Sequence, residues 1–294
     1  MSALKSIPLT LGLFAAAASA DTTIDATSKF AWGANTGWMN FAGNTTHGVV
    51  VGGSHLSGYA WAANTGWIHF GDGAPTNGYA YANDATGDFG VNHDGAGNLS
   101  GYAYAANTGW VNFGWASPSD PSRPRFDLQT GDFAGFAYSA NTGWINLGSG
   151  LLATDLISSP DTDNDGIADH WEMLHFDDLV TAGLNTHADG DGNSDAAEYA
   201  ANTDPNNAAE YLKIVSQSYN GNLTEVTLQF AGTSPARLYR IEYSDDLGGA
   251  DPWTDSSLGV FAPDSGSSTT KLIAFPGHPK KFFRVVANVP QISP

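Results

Sequence analysis

Residues 59–71 read YAWAANTGWIHFG, and residues 102–114 read YAYAANTGWVNFG. The same unit recurs at residues 136–148 (FAYSANTGWINLG) and 30–41 (FAWGANTGWMNF). In each copy aromatic and small residues alternate, Ala-Asn-Thr-Gly intervenes, and Trp–aliphatic–polar–apolar follows. Alternation of period two on both sides of an Asn-x-Gly turn is the pattern of a β-hairpin. Asn and Gly tolerate the positive φ that such a turn demands. Hairpins recurring at this density predict a compact antiparallel sheet or barrel-like domain over residues 21–150, with Trp and Tyr packed on its inner face. A decayed copy begins at Gly78 (GYAYANDATGDFGV) and has lost its Trp.

Composition agrees with a mostly β chain. Of 294 residues, 41% are apolar, only 14% are charged and 35 are Gly, which suits short strands joined by turns. The net charge of −19 repels phosphate backbones and argues against a nucleic-acid partner. The absence of Cys excludes disulfides, thiolate metal sites and cysteine nucleophiles. Residues 1–20, MSALKSIPLTLGLFAAAASA, place a Lys before an apolar stretch that ends in Ala18-Ser19-Ala20. That pattern predicts a bacterial signal peptide, a mature chain starting at Asp21, and a secreted or cell-surface protein. No later stretch is apolar enough to span a bilayer as a helix, so surface attachment would need an outer-membrane or other surface partner.

Charge divides the rest. Residues 21–150 hold 3 basic and 9 acidic residues, residues 151–210 hold 14 acidic and no Lys or Arg, and residues 211–294 hold 7 of each sign. The middle segment cannot neutralise itself, so bound cations are the natural compensation. Within it, residues 161–172 (DTDNDGIADHWE) fit a twelve-position calcium loop. Asp161, Asp163 and Asp165 take positions 1, 3 and 5, Gly166 makes the turn, and the Ile167 carbonyl serves position 7. Asp169 and Glu172 close the loop at positions 9 and 12. A weaker frame uses Asp189, Asp191, Asn193, Asp195 and Glu198, with His187 a poor occupant of position 1. Short helices are expected over 168–176 and 195–201, the second stopped by Thr203-Asp204-Pro205. Both strings resemble bacterial thrombospondin type 3 repeats, which implies paired structural Ca2+ sites. In residues 211–294, alternating runs at 211–215, 226–230, 239–243, 271–275 and 282–286 predict a β-sandwich serving as spacer or attachment module.

One repeat departs from the others. Two residues after the repeat Trp stands Asn40, Asn112 or Asn146, but the second copy has His69. Trp67 and His69 share a strand face, about 6.5–7 Å apart. The decayed copy runs into His93 before a turn. Imidazoles are common ligands of copper and zinc. From the opening TTIDA at 22–26 with FAWGAN at 30–35, the ANTGW hairpins, Gly66-Trp67-Ile68-His69 and the stretch 90–95 with His93, residues 21–150 resemble a known family. It comprises the copper-repressible, surface-associated copper-binding proteins of methane-oxidising bacteria (MopE/CorA type). That resemblance implies one copper(I) held by two imidazoles and by a Trp oxidised to kynurenine. By position these are His69, His93 and Trp67, with His47 or His55 as alternates to His93.

Three functions follow. The first is exported copper(I) acquisition or storage with structural calcium sites. The second is a calcium-stabilised structural or adhesive surface protein without copper. The third is a carbohydrate-binding module, which three or more coplanar exposed rings would favour. No Gly-x-Ser-x-Gly elbow or phosphate-cradling loop occurs, the repeat domain has no Glu, and the chain is read as non-enzymatic.

Overall fold

A computed structural model describes residues 22–44, 46–84, 87–274 and 281–290. The signal-peptide segment lies outside the described residues. Each ANTGW unit is a hairpin. Ile24–Gly33 pairs with Gly37–Asn40, Tyr59–Ala62 with Gly66–His69, Leu99–Ala105 with Gly109–Asn112, and Phe136–Ser139 with Gly143–Asn146. Neighbouring hairpins pair edge to edge. The last pairs back to the first, with Trp32 opposite Asn146 and Gly33 opposite Ile145, so the eight strands close into an antiparallel barrel. Closure leaves these strands no free edge.

The turns form where the sequence predicts, but the glycine and not the asparagine takes the positive φ. The Thr65 and Thr108 amides donate to the Ala62 and Ala105 carbonyls, and Gly66 and Gly109 follow with φ near +80 and +77°. The Asn side chain of the turn has a second task. Asn35 Nδ2 donates to the Thr142 carbonyl (2.9 Å), Asn107 to Thr65 (3.1 Å) and Asn141 to Thr108 (2.8 Å). Each of these bonds ties one hairpin's turn to the next around the rim.

The aromatic face is the reverse of the expectation. The bore is filled by fully buried Ala31, Ala60, Ala62, Ala103, Ala105 and Ala137, with Met39, Ile68, Val111 and Ile145 between them, while Phe41, Phe70, Phe113 and Leu147 join the same core. The repeat indoles point outward: Trp38 is 53% exposed, Trp144 49%, Trp67 44% and Trp110 43%. A small eight-stranded barrel leaves an interior just wide enough for its side chains to fill. Alternating Ala with one aliphatic fills it, and rows of indoles would not fit. The rings instead pack in cross-strand pairs such as Trp61–Trp67 (centroids 4.9 Å apart, 62°) and Tyr104–Trp110 (4.9 Å, 60°), each clamping its hairpin.

The decayed copy forms no strand among its described residues before Val91–His93, which pairs with Leu99–Ala105. After the last hairpin Leu152–Thr154 pairs with Ile24–Gly33, and the Ser158 amide donates to the Val51 carbonyl, so the barrel body extends past residue 150. The acidic segment then forms helices α1 (Asp169–His175) and α2 (Asp195–Ala201) around a small core of Ile167, Ala168, Trp171, Ala182 and Tyr199. α2 ends at Asn202, in the left-handed region, directly before the Thr203-Asp204-Pro205 stop expected from the sequence.

The C-terminal strands form two three-stranded antiparallel sheets. One holds Lys213–Tyr219, Glu225–Ala231 and Ser268–Ala274; the other holds Thr254–Asp255, Leu238–Ser244 and Phe282–Asn288. They share a core of Val226, Leu228, Phe230, Tyr239, Ile241 and Ile273, which is a sandwich.

Candidate metal centre

The first acidic loop wraps its carboxylates inward. Asp161, Asp163 and Asp165 each offer an oxygen within 4.8 Å of the others. Backbone amides hold two of them in place: Asp165 and Gly166 donate to Asp161, and Ile167 donates to Asp165 (2.9 Å). Gly166, with φ near +92°, makes the sharp turn at position 6. Asp169 accepts from the Thr162 amide (2.7 Å) and hydroxyl (2.6 Å), so its carboxylate closes the loop on itself. Glu172 is fully buried on α1, and neither of its oxygens has a hydrogen-bond partner; Asp165 Oδ2 is likewise orphaned. Buried carboxylate oxygens without donors are costly. A hard divalent cation supplies what they lack.

The second loop repeats the design. Asp189, Asp191 and Glu198 converge within 4.8 Å, and Asp195 accepts from the Ala188 amide just as Asp169 accepts from Thr162. Asn193 donates to Asp191 through both its amide and its side chain. Glu198 is 1% exposed with both oxygens orphaned, and Asp189 Oδ2 and Asp195 Oδ2 are orphaned too. His187 stands apart from the cluster. Its Nδ1 bonds to the Asn193 carbonyl, the atom that position 7 should offer to the ion. The loop therefore lacks one carboxylate and has one carbonyl engaged. His187→Asp is expected to raise calcium affinity at this loop about tenfold, read by calorimetric titration, since ligand charge sets the affinity of such loops. An unchanged or lower affinity would show that position 1 does not reach the ion.

Burial, then repulsion from Asp165 and Asp163, pushes the Glu172 carboxyl up to about 7. Burial, then Asp189 and Asp191, pushes Glu198 up to about 8. Both folded values stand above the ordinary carboxylate value of 4.5. The unfolded state therefore releases these protons first as pH rises. The ion-free segment should be most stable below about pH 4.5 and lose stability as pH climbs through 7 to 8. With calcium bound the trend reverses, because the ion needs the deprotonated carboxylates. Hydrogen exchange of residues 161–208 in a chelator at about pH 5 and pH 8.5 checks this, and equal protection at both would contradict it.

The remaining sequence-derived ligands do not form a comparable cluster. Among the described residues, the groups of three or more metal-binding side chains are the two acidic ones. His69 is half-buried, stacked on Tyr59 (4.5 Å, 12°) and edge-on to Phe89, and its backbone hydrogen bond goes to Gly71. In the other copies the Asn side chain is an acceptor for the amide two residues on, that of Gly114 for Asn112 and of Gly148 for Asn146. His69 does not repeat that bond and instead packs its ring between Tyr59 and Phe89. His93 is buried with both ring nitrogens engaged, Nε2 accepting from the Gly97 amide (2.9 Å) and Nδ1 bonding to the Gly52 carbonyl. Exposed His47 and half-buried His55 share an open groove of about 590 Å³ with His69 and His170. His170, which the sequence reading passed over, lies over Gly53. A Cβ there would meet its ring at 2.4 Å. Its only sequence signal is its place between Asp169 and Glu172.

With this geometry in view, the loops find their counterpart. Residues 161–175 and 189–208 match the bacterial TSP3 repeat. The matched stretches are the two loops with their helices, and they support calcium as the cofactor and partner of this segment. No curated protein and no solved structure matches the chain. Copper finds no support in these comparisons. Within each hairpin the exposed ring pairs are tilted or edge-on, as in Tyr138–Trp144 (57°).

Proposed function

We propose that this chain is an exported, calcium-stabilised structural protein of the bacterial surface, acting as a modular spacer or attachment element without a catalytic step. The observation that carries this reading is the pair of buried, partnerless glutamates, Glu172 and Glu198, each at the closing position of a loop that matches a TSP3 repeat. The signal-like residues 1–20 support export. The neutral, mutually clamped rings of the barrel wall support a scaffold role. Two experiments test the reading: fractionation of the source cells, with recovery outside the cytoplasm expected, and calcium titration of the purified chain. Retention in the cytoplasm, or a folded chain that binds no calcium, would overturn it.

A second reading is copper(I) binding at the Trp67–His69 strand. It is favoured by the exposed indole beside a half-buried imidazole and by the groove that gathers His47, His55 and His170 around His69. On this reading His69→Ala abolishes high-affinity copper binding with the fold intact, and His93→Ala does not, because His93 spends both nitrogens on the backbone. Copper binding unchanged by His69→Ala, read by competition with a copper(I) chelator, would remove it.

A further inference from the structure

The sandwich meets the acidic segment along α2, most closely at its C-terminal end, and touches the barrel where Gln129 Nε2 donates to the Val260 carbonyl (3.2 Å). Arg237, 6% exposed, donates from Nη2 to the Tyr199 carbonyl (2.6 Å) and from Nε to the Ala200 carbonyl (3.0 Å), and its guanidinium lies over the Tyr199 ring (5.4 Å). Its third bond goes to its own neighbour's carbonyl, that of Ala236, so the guanidinium is met by three backbone carbonyls. A buried cation is thus met by the negative end of a helix. Asn202, the residue that ends α2, donates from its side chain to Ser234 Oγ (3.0 Å), and Val289 packs against the Trp171–Tyr199 core.

The other end of the same helix belongs to the second acidic loop. α2 has seven residues. A helix so short does not persist by itself. Its inward face carries Asp195 and Glu198, whose orphaned oxygens repel one another unless a cation sits among them. The carbonyls that hold Arg237 exist as an ordered pair only while that helix is formed.

We propose that α2 is a calcium-operated latch: a cation in the second loop orders the helix, the ordered helix grips Arg237, and emptying the loop loosens the sandwich against the acidic segment and the barrel. This rests on the calcium reading of the loops and adds to it a mechanical consequence. The weaker, His187-containing loop is the one in the latch. The joint would therefore open at calcium concentrations that still fill the first loop. Opening would uncover the cavity of about 310 Å³ between the three parts, walled by Ile157, Trp171, Leu174, Tyr199 and Val289.

Small-angle scattering of the full chain, run beside calorimetric calcium titration, tests the latch. Calcium should contract the wild-type chain. Arg237→Met should bind as much calcium as wild type yet stay extended when loaded. Glu198→Gln, which keeps the size of a side chain that faces the sandwich from α2, should lose the weaker site and stay extended while the first loop remains filled. Calcium binding without contraction in wild type overturns the latch but leaves the calcium reading standing. No calcium binding at all overturns both. If Arg237→Met loses its sandwich circular dichroism, the decision passes to Glu198→Gln, and a compact Glu198→Gln chain refutes the latch.

Discussion

With calcium chelated, the amides of residues 161–208 should exchange at least about tenfold faster while the barrel strands keep their protection. The contrast follows from what each part has to hold it. The barrel closes its hydrogen bonds around a continuous core that runs from Ile24 to Leu152. The acidic segment has a core cluster of five buried residues, two seven-residue helices and no Lys or Arg of its own. An ion at a hundredfold over its dissociation constant adds about 2.7 kcal/mol per site, a large part of what so small a unit can muster. Exchange that stays the same in both parts, with and without chelator, would show that the loops order themselves without a cation.

Phe70→Ala should destabilise the barrel by about 3–5 kcal/mol, whereas Trp38→Ala should cost about 1 kcal/mol. Phe70 is 2% exposed and packs on Phe41 (5.2 Å) and Phe113 (5.6 Å), so its removal leaves a void in the barrel core. Trp38 is half in water, and its loss removes one clamp among several. Chemical denaturation of both variants measures the difference. Equal costs, or a larger cost for Trp38, would contradict the outward placement of the indoles.

That placement is also where the sequence was least legible. The ANTG turns, the strand pairs beside them, both helices and both acidic loops are set by residues within a dozen positions, and each was readable from spacing alone. Period two tells which residues share a face but not which face turns inward. That was decided by the pairing of Phe136–Asn146 strands back onto Trp32 and Gly33, more than a hundred residues away. The same limit applies to single side chains. His69 breaks the Asn pattern and invites a ligand role, yet its ring is stacked on Tyr59 and edge-on to Phe89, contacts the local sequence does not announce. His93 spends its nitrogens on Gly52 and Gly97, and Arg237 finds α2 across a change of module; neither pairing leaves a mark in the local sequence. The calcium loops were legible because their ligands, turn glycine and closing glutamate are all local, and the weakness of the second was visible in His187.

Calorimetric titration of the purified chain with Ca2+ at neutral pH should find two ions per chain, the tighter abolished by Glu172→Gln and the weaker by Glu198→Gln. A chain with intact circular dichroism that takes up no calcium would contradict the calcium reading.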